Sequence, residues 1–169
     1  MAYRLRSLPN SLTARSRIVA LKIVLNKEVS SDELEKEDFF RRVQREADIQ
    51  KQLSHPNIAA FHNLVDLNKN EGKIVFELEW CDGIELSVYL RKYQCLEEKE
   101  ARSIIKQLFS AIFYLYKLKE KVIHYDLKPS NIMFCDGIVK ILDFGLCKYN
   151  PDERPTPEEA YLHPYLKKE

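Results

Sequence analysis

The sequence predicts an α+β fold, with a strand-rich first section carrying one helix and a mostly helical second section. Three observations carry that prediction. A run rich in β-branched residues lies at 18–25. Two more strand-like runs, 58–67 and 73–79, flank the turn-forming Asn68-Lys69-Asn70-Glu71-Gly72. An apolar stripe with helical spacing then runs through 97–119. A length of 169 residues fits about one domain, and a hydrophobic content of 45% can fill its core.

The elements follow in order. No acidic residue precedes Glu28, and Arg4, Arg6, Arg15 and Arg17 alternate with Ser7, Ser11 and Ser16, a composition like that of organellar transit peptides. Pro9-Asn10 breaks any long helix there, so residues 1–16 are expected to be a disordered leader. After the first strand, Ser30-Ser31-Asp32 can cap a helix whose first turn is favoured by Glu33, Glu35 and Glu37. Phe39, Val43 and Ala47, then Ile49 and Leu53, give that helix one broad apolar face, and His55-Pro56-Asn57 ends it. A short helix is expected over 85–93 after Asp82-Gly83. A longer one over 97–119 should bury Ala101, Ile104, Leu108, Ile112 and Leu115. Strands at 132–134 and 138–142, joined by Asp136-Gly137, read as a hairpin.

Charge narrows the function classes. Basic and acidic residues nearly cancel, 27 against 26, so no overall field draws the chain to nucleic acid or to an anionic membrane. No apolar run reaches the roughly 18–20 residues that span a bilayer. Cys81, Cys95, Cys135 and Cys147 form no C-x-x-C pair and no metal-ligand spacing, which points to thiols in a reducing compartment.

The chemistry concentrates in His124-Tyr125-Asp126-Leu127-Lys128-Pro129-Ser130-Asn131 and in Asp143-Phe144-Gly145. Asp126 can accept or orient the proton of an attacking hydroxyl. Lys128, two residues on, lies on the same side of an extended loop and can neutralise a moving phosphate. Asn131 offers a neutral oxygen and Asp143 a charged one, hard ligands that suit Mg²⁺. Asn131 follows Asp126 by five residues and Asp143 follows Asn131 by twelve, across the expected hairpin. Upstream, Glu46 falls within the apolar arc of the first helix, where it can hold Lys22 by an ion pair.

These segments resemble the protein-kinase catalytic loop and its Asp-Phe-Gly partner. More narrowly, the chain resembles the tousled-like serine/threonine kinases. That likeness rests on Leu25-Asn26-Lys27, Arg45-Glu46, Glu79-Trp80-Cys81-Asp82-Gly83, Glu98-Lys99-Glu100-Ala101-Arg102-Ser103-Ile104 and, above all, Ile123-His124-Tyr125-Asp126, with tyrosine where most kinases carry arginine. It implies a protein-kinase-like fold: leader 1–16, a partial β-rich N-lobe and hinge 17–84, an incomplete helical C-lobe 85–148, and a C-terminal helix 149–169. It also implies ATP with Mg²⁺, protein Ser/Thr substrates such as chromatin-assembly factors, and nuclear work without direct nucleic-acid or membrane contact.

By position, Lys22 would pair the α- and β-phosphates and Leu78 would stand behind the adenine. Glu79 and Cys81 would offer backbone groups to the base, and Glu85 would meet the ribose. Asn131 and Asp143 would be the metal ligands, and Asp126 and Lys128 the catalytic pair. The absence of arginine at Tyr125 argues against a phosphate switch on the activation loop.

Two departures bear on activity. No glycine precedes Gly72, so the glycine-rich cover that resemblance places ahead of Lys22 is missing. The chain also passes from Asp143-Phe144-Gly145-Leu146-Cys147-Lys148 to Arg154-Pro155-Thr156-Pro157 within a few residues, where the family interposes on the order of a hundred. An activation segment, an A-P-E motif and central helices are therefore missing by resemblance, which should expose the apolar underside of the catalytic loop. Three readings follow: a weak serine/threonine kinase whose missing covers a partner chain would supply; a nucleotide-binding pseudokinase or scaffold; and a non-functional fragment. Little or no turnover is expected of the isolated chain.

Overall fold

The computed structural model of the chain describes residues 2–6, 18–25, 33–68 and 73–149. It divides into two compact units, the first formed by Met1–Gln52 with Ala60–Trp80 and the second by Leu53–Ala59 with Cys81–Glu169.

The first unit is an antiparallel sheet with one helix. Strands β1 (Ala2–Arg6), β2 (Ile18–Leu25), β3 (Phe61–Asn68) and β4 (Lys73–Glu79) are ordered β1-β2-β4-β3. Helix α1 (Glu33–Lys51) buries Val43 and Ala47 against Ile74 and Phe76 of β4, and Val24, Phe39, Phe40, Phe61, Leu64 and Leu78 close around them. The four-residue spacing of the apolar positions explains which helical face turns inward. Two register shifts bend β3 along β4.

One expectation is corrected here. The sequence predicts a disordered leader over 1–16, yet Ala2–Arg6 is a strand running antiparallel to β2, with Ala2 opposite Lys22 and Arg6 opposite Ile18. A sheet edge offers unpaired N–H and C=O groups, and a five-residue segment that alternates Tyr3 and Leu5 with Arg4 and Arg6 can occupy it. Residues 7–16, Ser30-Ser31-Asp32 and the C-terminal helix expected at 149–169, apart from Tyr149, lie outside the described residues.

The second unit is built on helices α2 (Leu86–Tyr93) and α3 (Glu98–Lys117), with β5 (Ile84–Glu85), β6 (Val122–Ile123), β7 (Ile132–Cys135), β8 (Ile138–Ile141) and β9 (Lys148–Tyr149). A three-stranded sheet is ordered β5-β7-β8, and β6 pairs with β9. Leu86, Ile104, Ile132 and Val139 form a buried cluster, packed by Tyr89, Leu90, Leu96, Leu108 and Phe134. Of the expected stripe on α3, Ile104 and Leu115 are buried, while Ala101, Leu108 and Ile112 are half-buried; Ala111 is buried as well. The hairpin turn has φ of 48° at Asp136 and 80° at Gly137, so both central residues are left-handed, as the twist of a two-residue turn demands. At Gly83 a Cβ would lie 2.5 Å from the Phe134 carbonyl oxygen, so glycine there allows β5 to approach β7.

Within the span 17–84 expected to hold a partial N-lobe and hinge, Leu53–Ala59 groups with the second unit, and the later boundary falls after Trp80. The cause is polar. The Ala59 N–H donates to the Ile141 carbonyl at 3.0 Å and the Ile141 N–H to the Asn57 carbonyl at 2.8 Å. Buried Asn57 sends its side-chain amide to the Val139 carbonyl at 2.9 Å and to Gln107 Oε1 at 2.8 Å. Two further anchors reach α3: the Ser54 N–H donates to the Tyr114 hydroxyl, and His55 Nε2 meets Ser110 Oγ. None of the four cysteines is in a disulfide, and no helix among the described residues is long and apolar enough to cross a membrane.

Candidate active site

On the first unit, Lys22 in β2 and Glu46 in α1 meet at 2.7 Å. Glu46 is only 7% exposed, and its Oε1 also accepts from Gln50 Nε2 at 3.3 Å. The β2–β4 register sets Lys22 opposite Phe76, whose ring centre is 6.0 Å from the ammonium. A buried carboxylate held by helix and strand at once fixes the lysine head instead of leaving it to sample solvent. The expected pairing is therefore present. Gln50, one helical turn beyond Glu46, escaped the sequence reading although i,i+4 spacing could have flagged it.

On the second unit, Asp126, Lys128 and Asn131 form one hydrogen-bonded cluster. Lys128 Nζ lies 2.9 Å from Asp126 Oδ2. Asn131 Nδ2 donates to the Asp126 backbone carbonyl at 2.9 Å and to its Oδ2 at 2.8 Å. A 3-10 turn at Pro129–Asn131, closed by the Asn131 N–H on the Lys128 carbonyl, delivers the buried amide to that position. The proline suits the turn because its φ is preset and its missing N–H is not needed there. Two donors hold the Asp126 carboxyl below the usual range, Lys128 most strongly and then Asn131, while partial burial and the charge of Asp143 push the other way. A carboxylate so depressed stays ionised at neutral pH and is a weak base, suited to orienting a hydroxyl and taking its proton late.

The hairpin brings Asp143 to the same place. Ile132 pairs with Ile141, and the Leu142 N–H donates to the Asn131 carbonyl at 2.8 Å, so Asn131 and Asp143 flank the same end of the ladder. Asp143 is exposed, adopts φ of 51°, and accepts the Gly145 N–H at 3.3 Å. The Asn131 amide hydrogens are directed at Asp126, and its Oδ1 is a neutral oxygen at the end of the ladder that Asp143 also flanks. Two hard oxygens fit Mg²⁺, which keeps waters and completes its shell from phosphate. No cluster of three or more His, Cys, Asp or Glu suited to a metal occurs among the described residues, so any cation here would depend on that shared shell.

His124 has a role that its place in the motif does not reveal. Its Nδ1 accepts the Asp126 N–H at 3.3 Å and its Nε2 bonds the Leu142 carbonyl at 3.0 Å, with the Phe144 ring set edge-on at 4.8 Å. Burial keeps the ring neutral by lowering its pKa, against the opposing pull of the Leu142 bond, Asp143 and Asp126. It thus ties the backbone of Asp126 to the segment carrying Asp143. Tyr125 has φ of 59°, an uncommon region for an aromatic residue, and Lys148 lies 5.8 Å from its ring centre. Strain of this kind gathers where surrounding structure over-determines a site.

The remaining site residues stay on their own units. Leu78 is half-buried on β4 against the sheet–helix core, and Glu79 exchanges bonds with Ala60, its N–H donating to the carbonyl and its Oε2 accepting the amide. Cys81 is half-buried and Glu85 exposed on the second unit, with Glu85 accepting from Ser87 Oγ at 2.9 Å. Leu127 and Leu146, close in sequence to Asp126 and Asp143, are 40% and 59% exposed.

An anchored lysine on a sheet-and-helix unit, with an Asp–Lys–Asn cluster and a second carboxylate on a helix-and-hairpin unit, defines a kinase-type catalytic domain in fold. A model of the protein kinase domain matches residues 11–160, and the chain belongs to that family. It is 41% identical over 142 residues to serine/threonine-protein kinase tousled-like 1-B of Danio rerio, covering 81% of this chain and 18% of that protein. The same identity and coverage hold for serine/threonine-protein kinase tousled-like 2 of Homo sapiens. Serine/threonine-protein kinase TOUSLED of Arabidopsis thaliana is 38% identical over 138 residues, covering 80% of this chain and 20% of that protein. The chain therefore spans about a fifth of the length of these relatives.

Proposed function

We propose that the chain carries the phosphoryl-transfer groups of a tousled-like protein serine/threonine kinase, using Mg-ATP, with weak or no turnover in isolation. The observation that supports this most is the Asp126–Lys128–Asn131 cluster, joined through the hairpin ladder to Asp143. Lys22, steadied by Glu46, would hold ATP phosphate oxygens. Leu78, Glu79, Cys81 and Glu85 would bound the nucleoside. Asp126 would orient the substrate Ser/Thr hydroxyl and accept its proton, and Lys128 would neutralise the phosphoryl oxygens as they move. Asn131 and Asp143 would hold Mg²⁺, which supplies charge neutralisation at the phosphates. Chromatin-assembly factors as substrates and a nuclear location belong to this reading through likeness to the tousled-like kinases.

The absence of glycine ahead of Lys22 favours a second reading, a nucleotide-binding pseudokinase or scaffold, because glycine is the residue that best lets backbone amides approach phosphate oxygens. Mg-ATP should raise the melting temperature of the full chain, and Asp143→Ala should abolish that rise. Radiolabel transfer to a serine-containing protein should be slight or absent, and any that occurs should vanish in Asp126→Ala. Robust Asp126-dependent transfer would restore the active kinase. No response to Mg-ATP would overturn both nucleotide readings and leave the inert fragment.

A further inference from the structure

We propose that the outer face of α3 is an interface between two copies of this chain, packed antiparallel about a two-fold axis that passes between Phe109 and Ile112. Ile105, Phe109, Ile112, Phe113 and Tyr116 follow one another at steps of four, three, one and three residues, which sets them on one arc of the helix. That arc adjoins the one carrying Ile104, Ala111 and Leu115, which are buried, whereas all five outer residues are only half-buried. At the far end of the stripe the rings meet ammonium groups. Lys117 Nζ lies 5.1 Å from the Phe113 ring centre, and Lys121 Nζ 4.4 Å from that of Tyr116, to whose hydroxyl it also donates at 3.3 Å. A contiguous apolar stripe rimmed by charge marks a contact surface.

Charge selects the occupant. The start of α3 is acidic through Glu97, Glu98 and Glu100, and the residues at and beyond its end are basic through Lys117, Lys119 and Lys121. Lys99 and Arg102 offset part of the first charge, and Glu120 part of the second. A nucleic acid or an anionic membrane would suit the basic end and be repelled by the acidic one. A second copy turned end for end offers each terminus its opposite, and it also sets the two helix dipoles antiparallel. Centred on the stripe, this register would place Ile105 over the partner's Tyr116, Phe109 over the partner's Ile112, and Glu98 near the partner's Lys121. The same residues then serve on both sides, as an isologous interface requires.

The contact is independent of the kinase reading, and its test needs no nucleotide. Sedimentation equilibrium of the full chain is run in reductant, because exposed Cys95 could link two copies covalently. A monomer–dimer equilibrium is expected, with a Kd of roughly 10–100 μM at about 0.1 M salt, since one helix face per copy is a small interface, and it should weaken as salt rises. Glu98→Lys and Lys121→Glu each make both ends of the pair repulsive, so each should weaken its own dimer by at least about tenfold. An equal mixture of the two variants restores opposite charges at both ends and should recover the parent affinity to within about threefold. Both positions are exposed, so circular dichroism should match the parent. Phe109→Gln should also keep the chain monomeric, without lowering its melting temperature in dilute solution.

A parent chain that stays monomeric up to about 1 mM would overturn the proposal. So would a dimer that both charge variants leave unchanged, or one that their mixture fails to restore. A monomeric parent whose Phe109→Gln variant melts lower would overturn it too, assigning the stripe to a contact within one copy. None of these outcomes touches the kinase reading, which stands or falls on Mg-ATP.

Discussion

Asn131 holds Asp126 by its main chain and by its carboxylate at once, from a position with 9% exposure. Replacing it with alanine removes two hydrogen bonds, one of them charge-assisted, and leaves the Asp126 carbonyl short of a donor. We expect Asn131→Ala to cost about 2 kcal/mol. The readout is a lower urea midpoint at unchanged slope, and an unaltered midpoint would mean the cluster is not what stabilises the loop. This residue was legible in the sequence because five-residue spacing from Asp126 is a property of the chain itself. Lys22 with Glu46 was legible too, since helical periodicity placed the glutamate on the buried arc. His124 and Gln50 were not assigned. His124 bonds the Leu142 carbonyl, which only the fold brings near, whereas Gln50 bonds a carboxylate one helical turn away that was already matched to Lys22.

Among the elements, β2, β4 and the β7–β8 hairpin could be read directly, because β-branched runs and the Asp136-Gly137 turn carry their own geometry. Strand β1 could not, since five residues become a strand only when an edge is available to pair with. The 53–59 segment is the more instructive miss. Leu53 continues the apolar spacing of α1, but α1 ends at Lys51, and Asn57 then binds both Gln107 on α3 and the Val139 carbonyl on β8. Asn57→Ala would leave that buried carbonyl and Gln107 each one donor short, at a cost of about 2–3 kcal/mol. Because the Ile141 N–H donates to the Asn57 carbonyl and the Val139 N–H to Gln107 Oε1, amide exchange at Ile141 and Val139 should accelerate together. Acceleration at α2 without any at β8 would contradict this brace.

At the scale of the whole chain, the shifted acid-side groups among the described residues, His55, His124 and Asp126, fall in two pH windows. His55 and His124 are both harder to protonate in the folded chain than in the unfolded one. For His55 the causes are burial and then Lys140; for His124 burial outweighs the Leu142 bond, Asp143 and Asp126. As pH falls below the ordinary histidine value of about 6.5, the unfolded chain takes up protons first, so stability must decline from there down through the folded values. Asp126 is shifted downward by Lys128 and Asn131, so its contribution is complete above the ordinary carboxylate value of about 3.9 and is lost only as pH drops through its lower folded value. Loss of stability between pH 7 and pH 5 therefore belongs to the histidines. His124→Asn removes one titrating ring along with its bond to the Leu142 carbonyl, so the variant should melt lower at pH 7 and fall less steeply on acidification. The gap between the two melting curves should narrow toward pH 5. Parallel curves would mean that His124 titrates alike in folded and unfolded chains, and that its buried neutral ring does not set the acid response of the catalytic loop.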